Sequence, residues 1–336
     1  MDYKRLGKTG LEVLGLGLGT MTFGDGADEA VCRAIYARAR DHGINLFDCA
    51  NVYAGGESER ILGRLVHGHR HDIILTTKAY YPMSDRPNDR GLSRKHLAQS
   101  LDASLKRLQT DYIDIYFLHA YDAMTPLEES IAALNGFVQQ GKILYIGISN
   151  FAAWQVMKAI NAANALGTAV HCIQPMYNLL KRQAEVELFP MAAHEDLGVL
   201  AYGPLAGGLL TGKYLAGRPA AGRFNDSIEY QKRYDGDLIA SAVAKFNALA
   251  HDYGLAPASL AIAWAASHPS VTALLIGART PEQLAEGLAA CGIRQSEELW
   301  RALAGLMPAP TAATDRSEEC RHLPKLKIQV LNQHHR

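Results

Sequence analysis

Residues 73–119 read IILTTKAYYPMSDRPNDRGLSRKHLAQSLDASLKRLQTDYIDIYFLH and contain one complete strand–helix–strand unit. Residues 73–78 and 113–119 are short, near-continuous apolar runs, as parallel strands buried on both faces should be. Between them Ser93 is placed to cap a helix in which Leu97, Leu101, Leu105 and Leu108 recur every three or four residues. Working outward, further apolar runs lie at 14–20, 45–48, 143–149, 172–175, 199–203 and 271–277. Helical patterns fall between them. One follows Asp28 and carries Ala30, Ile35 and Ala39; one covers 127–140 with Ile131, Leu134 and Val138; a third covers 154–166. Repeated β/α alternation with eight strands predicts an α/β fold, a (β/α)8 TIM barrel. The competing arrangement is an open doubly wound sheet, which needs a reversal of strand order that a sequence does not display.

Two segments depart from this rhythm. Residues 3–13 hold a Lys-Thr-Gly turn between short apolar stretches, which predicts an N-terminal β-hairpin closing the bottom of the barrel. Residues 204–235 are polar and Gly-rich, and a loop that long inside a compact domain is usually functional or disordered. The chain, 1–336, is expected to be one domain with its barrel core at about 3–290. The segment from about 308 to 336 is rich in charge and His and receives no role.

Composition narrows the function. The 336 residues are 48% hydrophobic, enough for a large core, and 34 Lys and Arg balance 34 Asp and Glu. A neutral chain lacks the electrostatic footprint of a nucleic-acid binder. Cys32, Cys49, Cys172, Cys291 and Cys320 are odd in number and irregularly spaced, with no CxxC pair, so neither a disulfide framework nor a structural zinc site is expected. The opening MDYKRLGKTG has no signal-peptide apolar core, and no run of about 18 apolar residues occurs. A cytoplasmic location, with no membrane partner, is the expectation.

In a barrel the chemistry gathers at the C-terminal strand ends. The second run leads into NLFDCANVYAGGESE, the third ends in ILTTK and the fourth in IYFLH. Asp48, Tyr53, Lys78 and His119 therefore arrive at one rim. Singly, each has an ordinary explanation: a turn former, a packed ring, a solvated cation. Together they suit proton donation to a carbonyl. Tyr is a weak acid at neutral pH, a nearby ammonium strengthens it, and a carboxylate fixes that ammonium. His119 could hold the carbonyl oxygen. Such a site needs a hydride source, and that must be a bound cofactor. The later strand ends offer places for one: Ser149 and Asn150, Gln174, a stacking Tyr202, and Gly203, Gly207, Gly208 and Lys213 for a pyrophosphate. Arg279 with the helix start at Thr280 makes a natural phosphate site. For these the plain alternatives are turn-forming glycines and a surface salt bridge.

Over residues 3–290 the stretches RLGKTGLEV, GLGTMTFG, FDCANVYAGGESE, TTK, LKRLQTDYIDIYFLH, GKILYIGISNF, IQPMYN, YGPLAGGLLTGKY and IGARTPEQL occur in order. In these the chain resembles the aldo-keto reductases, in particular the bacterial branch that is similar to potassium-channel beta subunits. The resemblance implies an NADPH-dependent reductase of aldehydes or ketones. Tyr53 would be the general acid, its pKa depressed by Lys78 with Asp48, and His119 would orient the small-molecule substrate. It further implies that Ser149, Asn150 and Gln174 bind the nicotinamide amide, that Tyr202 stacks on its ring, and that Gly19, Thr20 and Met21 lie near it. Gly203, Pro204, Leu205, Gly207, Gly208 and Lys213 would follow the pyrophosphate, with Arg223 in a covering loop. Arg279 would meet the 2′-phosphate, favouring NADPH over NADH, Gln283 and Glu286 would line the adenine, and Gly277 and Asp48 would also contact the cofactor. One departure stands out. Gly287 occupies a position where the family usually has Asn against adenine; a lost hydrogen bond there, on the order of 1 kcal/mol, should weaken cofactor affinity.

Two other signals are set aside. GLGLGT at 15–20 looks like a dinucleotide fingerprint, but such a motif must open a helix and here TMTFGDG follows. HGHRH at 67–71 sits between a helix and a strand, so a solvated turn is expected and no metal set is assigned. The alternative function is a cofactor-binding, redox-sensing regulatory subunit with slow turnover; a hydrolase or isomerase barrel without nicotinamide is the third reading. An oligomer is possible but nothing in the sequence indicates one.

Overall fold

Alternation within the eight apolar runs fixes what each strand sends inward and outward, and in the computed structural model those strands close on one another. The structure describes residues 2–215, 217, 222, 224, 227–294, 296–312 and 314. The strands are β3 (Leu16–Gly19), β4 (Leu46–Asp48), β5 (Ile74–Ala79), β6 (Ile113–Leu118), β7 (Ile143–Ser149), β8 (Val170–Gln174), β9 (Gly198–Tyr202) and β10 (Ala273–Ile276). All are parallel, each pairs with the next, and β10 returns to pair with β3 through Leu274 opposite Leu16 and Ile276 opposite Leu18. This is the closed (β/α)8 barrel, not the open sheet.

The ends of the runs move by a residue or two. The run at 14–20 divides, because Leu14 belongs to a separate strand, β2 (Glu12–Leu14), paired antiparallel with β1 (Tyr3–Arg5). That hairpin lies at the bottom. Leu6 and Val13 pack with Leu46, Ile74, Cys172, Leu200 and Ala273 in one interior cluster, and Leu46, Ile74 and Ala273 are first residues of their strands. Gly198, which opens β9, has no room for a side chain because Leu6 lies against it. The Lys8 N–H also donates to the Asp196 carbonyl at 2.9 Å. The bottom is therefore sealed by apolar side chains.

Helices form where caps and spacing predict. Asp28 accepts from the Val31 N–H at the start of α1 (Glu29–Asp41), and Ser93 accepts from the His96 N–H at the start of α3 (Arg94–Leu108). Leu97, Leu101 and Leu108 of α3 are buried in the outer core. The ring continues with α2 (Glu57–Val66), α4 (Leu127–Gln139), α5 (Ala153–Ala165) and α6 (Leu188–His194). The 204–235 segment is not a plain loop: it contains a 3₁₀ turn, Ala206–Thr211, and a short helix, α7 (Ile228–Arg233). Beyond it come α8 (Asp237–Asp252), α9 (Pro257–Ala266) and α10 (Pro281–Leu288). Every residue of α9 after Pro257 is buried, because α8, α10, β10 and the Ala206–Thr211 turn all pack against it; α11 (Glu297–Ala304) follows, with Leu299 and Leu303 in the outer core and Trp300 Nε1 donating to Ser267 Oγ at 2.7 Å. Packing thus runs past the expected limit of 290. The tail from 315 lies outside the described residues.

The two motifs set aside are accounted for. Gly17 of GLGLGT faces the barrel interior, where an added Cβ would lie 2.8 Å from side-chain carbons of both Leu275 and Leu46. In HGHRH, His69 meets Tyr36 OH at 2.6 Å and His71 stacks on Tyr112, while Arg70 pairs with the buried Asp114 at 2.6 Å.

Histidine burial gives the fold a pH dependence. On β8, His171 accepts the Ile146 N–H at Nδ1 (3.1 Å), and burial, helped by the charge of Lys8, pushes its pKa down to about 4. An unfolded histidine titrates near 6.5. Between those values the unfolded chain holds a proton the folded chain lacks, so stability is lost as pH falls through this window, by at most about 1.4 kcal/mol per pH unit and less because the ring is partly solvated. Urea unfolding from pH 7 to pH 4 should show His171→Gln with a shallower loss than the parent; an unchanged slope would reject the assignment.

Candidate active site

The turn that presents the tyrosine is written in VYAGGE. Tyr53 begins a 3₁₀ turn, Tyr53–Gly56, in which Ala54, Gly55 and Gly56 have φ of 48°, 62° and 94°. Left-handed backbone suits glycine, and at Gly56 an added Cβ would also meet Arg107 Cδ at 2.9 Å. Arg107 must pass there to reach Glu59, which it pairs at 2.6 Å. The chain is thereby folded sharply back, and α2 starts at once.

Below Tyr53 lies a buried ion pair. Alternation along β5 turns Thr76 and Lys78 inward and Thr77 outward, where Thr77 meets Glu59. Lys78 Nζ donates to Asp48 Oδ2 at 2.6 Å and to the Cys49 carbonyl at 2.7 Å. Asp48 Oδ1 accepts from Thr76 Oγ1 at 2.6 Å and from Gln174 Nε2 at 2.8 Å. The Lys78 side chain is 0% exposed and that of Asp48 4%. A buried pair persists only when geometry and further hydrogen bonds compensate desolvation, and this one has both. The ammonium is 5.2 Å from the Tyr53 ring centroid.

His119 follows β6, its N–H on the Ala79 carbonyl. Its ring stands edge-on to Tyr53 at 6.1 Å and to Tyr81 at 4.9 Å. Burial first, and the Lys78 charge second, push its pKa well below the ordinary value, so the imidazole is neutral at pH 7. Its Nδ1 is buried without a hydrogen-bond partner among the described residues. Asp48, Tyr53, Lys78 and His119 thus come together, and with them Gln174.

The rim beyond is one hydrogen-bonded network. Asn150, with φ 58°, donates through Nδ2 to the His119 carbonyl (2.9 Å) and to Ser149 Oγ (3.0 Å). Ser149 Oγ donates to the Gln174 carbonyl at 3.0 Å, and Tyr202 OH donates to Asn150 Oδ1 at 2.7 Å. The ends of β6, β7, β8 and β9 are locked together. Gly203, Gly207 and Gly208 all have positive φ; Pro204 is buried and Leu205 half-buried beside them. Tyr230 crowds Gly207, and the stem of Lys213 lies over Gly208. Arg223 lies outside the described residues.

Across the mouth, Gly19 ends β3 and Gly277 follows β10. An added Cβ at Gly19 would meet only the Ile276 carbonyl at 3.7 Å, so the rim is open there. Met21 is exposed, whereas Thr20 is fully buried and directs its hydroxyl to the Asp48 carbonyl at 3.0 Å. Arg279 lies against Gly26, and its backbone N–H donates to Gln283 Oε1 at 2.9 Å. Gln283 and Glu286 are exposed on α10. Gly287, by contrast, is buried, and an added Cβ would sit 3.3 Å from Ile262 and 3.4 Å from Ile276. An Asn there would begin against two isoleucines, so that substitution carries a packing cost of its own.

Sequence reasoning overlooked three supporting residues. Asp122 accepts from the Leu92 and Met124 N–H groups and from Thr125 Oγ1, tying down the segment that carries Tyr80 and Tyr81. Asn178 joins the Gly203 carbonyl to Tyr234 OH. Thr76 positions Asp48. Only Asp122 left a local signal, an Asp-x-x-Thr-Pro turn.

Comparison with known proteins identifies the family. The aldo/keto reductase family model matches residues 15–307. The chain is 41% identical over 331 residues to YrpG, an uncharacterized oxidoreductase of Bacillus subtilis, covering 94% of this chain and 98% of that one. It is 38% identical over 302 residues to a probable voltage-gated potassium channel subunit beta of Arabidopsis thaliana, and 39% to its counterpart in Oryza sativa, each covering 87% of this chain and 92% of the relative. With a family model spanning nearly the whole barrel, the chain belongs to the aldo/keto reductase family and is an oxidoreductase of that type.

Proposed function

We propose that the protein is an NADPH-dependent reductase of an aldehyde or ketone, with Tyr53 as its general acid. The observation that carries this reading is the fully buried Lys78–Asp48 pair set beneath the Tyr53 ring, with a neutral His119 edge-on to the same ring.

Family members generally use NAD(P)H, and the residues present suit a nicotinamide dinucleotide. Gly19 and Gly277 leave the rim open between β3 and β10, where side chains would fill it. Ser149, Asn150 and Gln174 present amide and hydroxyl groups beside Tyr202. Gly203, Gly207 and Gly208 turn the backbone with positive φ, the last of them beneath Lys213, and Arg279 stands at the start of α10, a setting that favours phosphate. Bound there, the cofactor would supply a hydride to the carbonyl carbon.

The protein's own residues do the rest. An uncharged His119 can donate a hydrogen bond to the carbonyl oxygen without adding charge. As the oxygen gains negative charge, the Tyr53 O–H gives it a proton and the product is an alcohol. Lys78 stabilises the phenolate left behind, and Asp48 keeps the ammonium in place. Tyr80, Tyr81 and Tyr121 supply an aromatic wall suited to an apolar carbonyl compound.

The names of the plant relatives support a second reading, a slow, cofactor-binding regulatory subunit. An intact tetrad fits both; a stable protein partner with slow turnover across a carbonyl panel would favour the second.

Intrinsic-fluorescence titration tests the cofactor assignment. NADPH should bind more tightly than NADH, and Arg279→Ala should weaken NADPH by about 10- to 100-fold, the range of one charged hydrogen bond, while leaving NADH nearly unchanged. Absence of binding by either nucleotide would reject the reductase reading.

A further inference from the structure

Away from this site, a cavity of about 590 Å³ opens between the 83–89 segment after β5 and the outer face of α3, with Asn51 in its wall. It shares no residue with the tetrad or with the proposed cofactor contacts. Its volume lies in the range of small-molecule pockets, and its charged lining is mainly cationic. Arg86, Lys95 and Arg107 contribute positive charge against one carboxylate, Asp89.

The ion pairs around it are uneven. Asp89 is held by Ser84 Oγ and by Arg86, and Arg107 faces the buried Glu59. Lys95, in the first turn of α3 where the helix dipole is positive, makes no ion pair among the described residues. Lys95 is exposed, so it offers the cavity a hydrated ammonium that an anion could pair with.

Asn51 supplies the independent sign of a ligand. It is 0% exposed, and both Oδ1 and Nδ2 are buried without a hydrogen-bond partner among the described residues. A carboxamide carries two donors and an acceptor with two lone pairs, and buried groups of this kind are almost always satisfied. Protein atoms do not satisfy this one, which leaves it for water or a ligand in the cavity.

We propose that this cavity is a second binding site, for a small oxyanion that also bears hydroxyl groups: the anionic end on Lys95 and Arg86, the hydroxyls on Asn51. The proposal does not rest on the reductase reading. It does touch that site's frame, because the Asn51 N–H donates to the Lys78 carbonyl at 3.1 Å and Asn51 lies two residues before Tyr53.

Isothermal titration of the full chain with glycerol 3-phosphate, glycerate and glycerol tests it, with saturating NADPH present to fill the nucleotide site. One of the two anions should bind with a dissociation constant of about 1 mM or tighter, and which one does identifies phosphate or carboxylate as the anionic end. Glycerol alone should not bind. Lys95→Glu, on an exposed helical turn where Glu is well tolerated, should weaken that binding at least about tenfold and leave the NADPH titration unchanged. Asn51→Ala should weaken glycerol 3-phosphate or glycerate more than it weakens inorganic phosphate or acetate. Saturation by neither anion, or binding that Lys95→Glu leaves intact, would overturn the proposal. The NADPH titration reports separately on the reductase reading.

Discussion

Tyr53→Phe is expected to lower kcat by about 10²- to 10⁴-fold, the usual contribution of a positioned general acid. Nucleotide affinity should stay within about twofold of the parent, because the substitution removes one hydroxyl and keeps the ring that packs over Lys78. Single-turnover measurements with a reactive aldehyde would separate binding from chemistry. A Tyr53→Phe variant with parental kcat would remove Tyr53 from the proton's path and leave the site without an acid, since His119 is held neutral by burial and by Lys78.

Lys78→Met should abolish turnover and also weaken the fold. Methionine roughly matches the stem but not the charge, and it leaves the Asp48 carboxylate buried with only Thr76 and Gln174 as donors. Breaking one partner out of a buried pair typically costs about 3–5 kcal/mol. The double variant Lys78→Met with Asp48→Asn should recover much of that stability while remaining inactive. Urea unfolding and turnover measured on the three proteins would separate the two roles. Were the single variant as stable as the parent, the pair would not be the electrostatic anchor its geometry describes.

Much of this was legible in the amino-acid order because local rules govern it. Apolar runs marked the eight strands, Asp28 and Ser93 marked helix starts, and the strand-end rule brought Asp48, Lys78 and His119 to one rim. What was not legible depends on register. Gln174 meets Asp48 across 126 residues of chain, and only the closure of the barrel decides that contact. Reading Gln174 for an amide group alone overlooked that one arm already holds the carboxylate. Thr20 illustrates the same limit, since a rim position did not reveal that its hydroxyl turns inward. Gly287 shows it on a helix: the start of α10 at Thr280 was legible, but which face Gly287 occupies depends on Ile262 and Ile276. In the 204–235 segment, Gly-rich composition hid a short helix whose Tyr230 packs on Gly207.

The hairpin beneath the barrel has a kinetic consequence. Leu6 and Val13 add a floor to an interior already filled by side chains such as Leu46, Phe117 and Leu200, so the Lys78–Asp48 pair is approached from the rim. Two guests sharing such an approach cannot exchange independently. If the proposed nucleotide and carbonyl compound share that rim, whichever seats deeper should enter first and leave last.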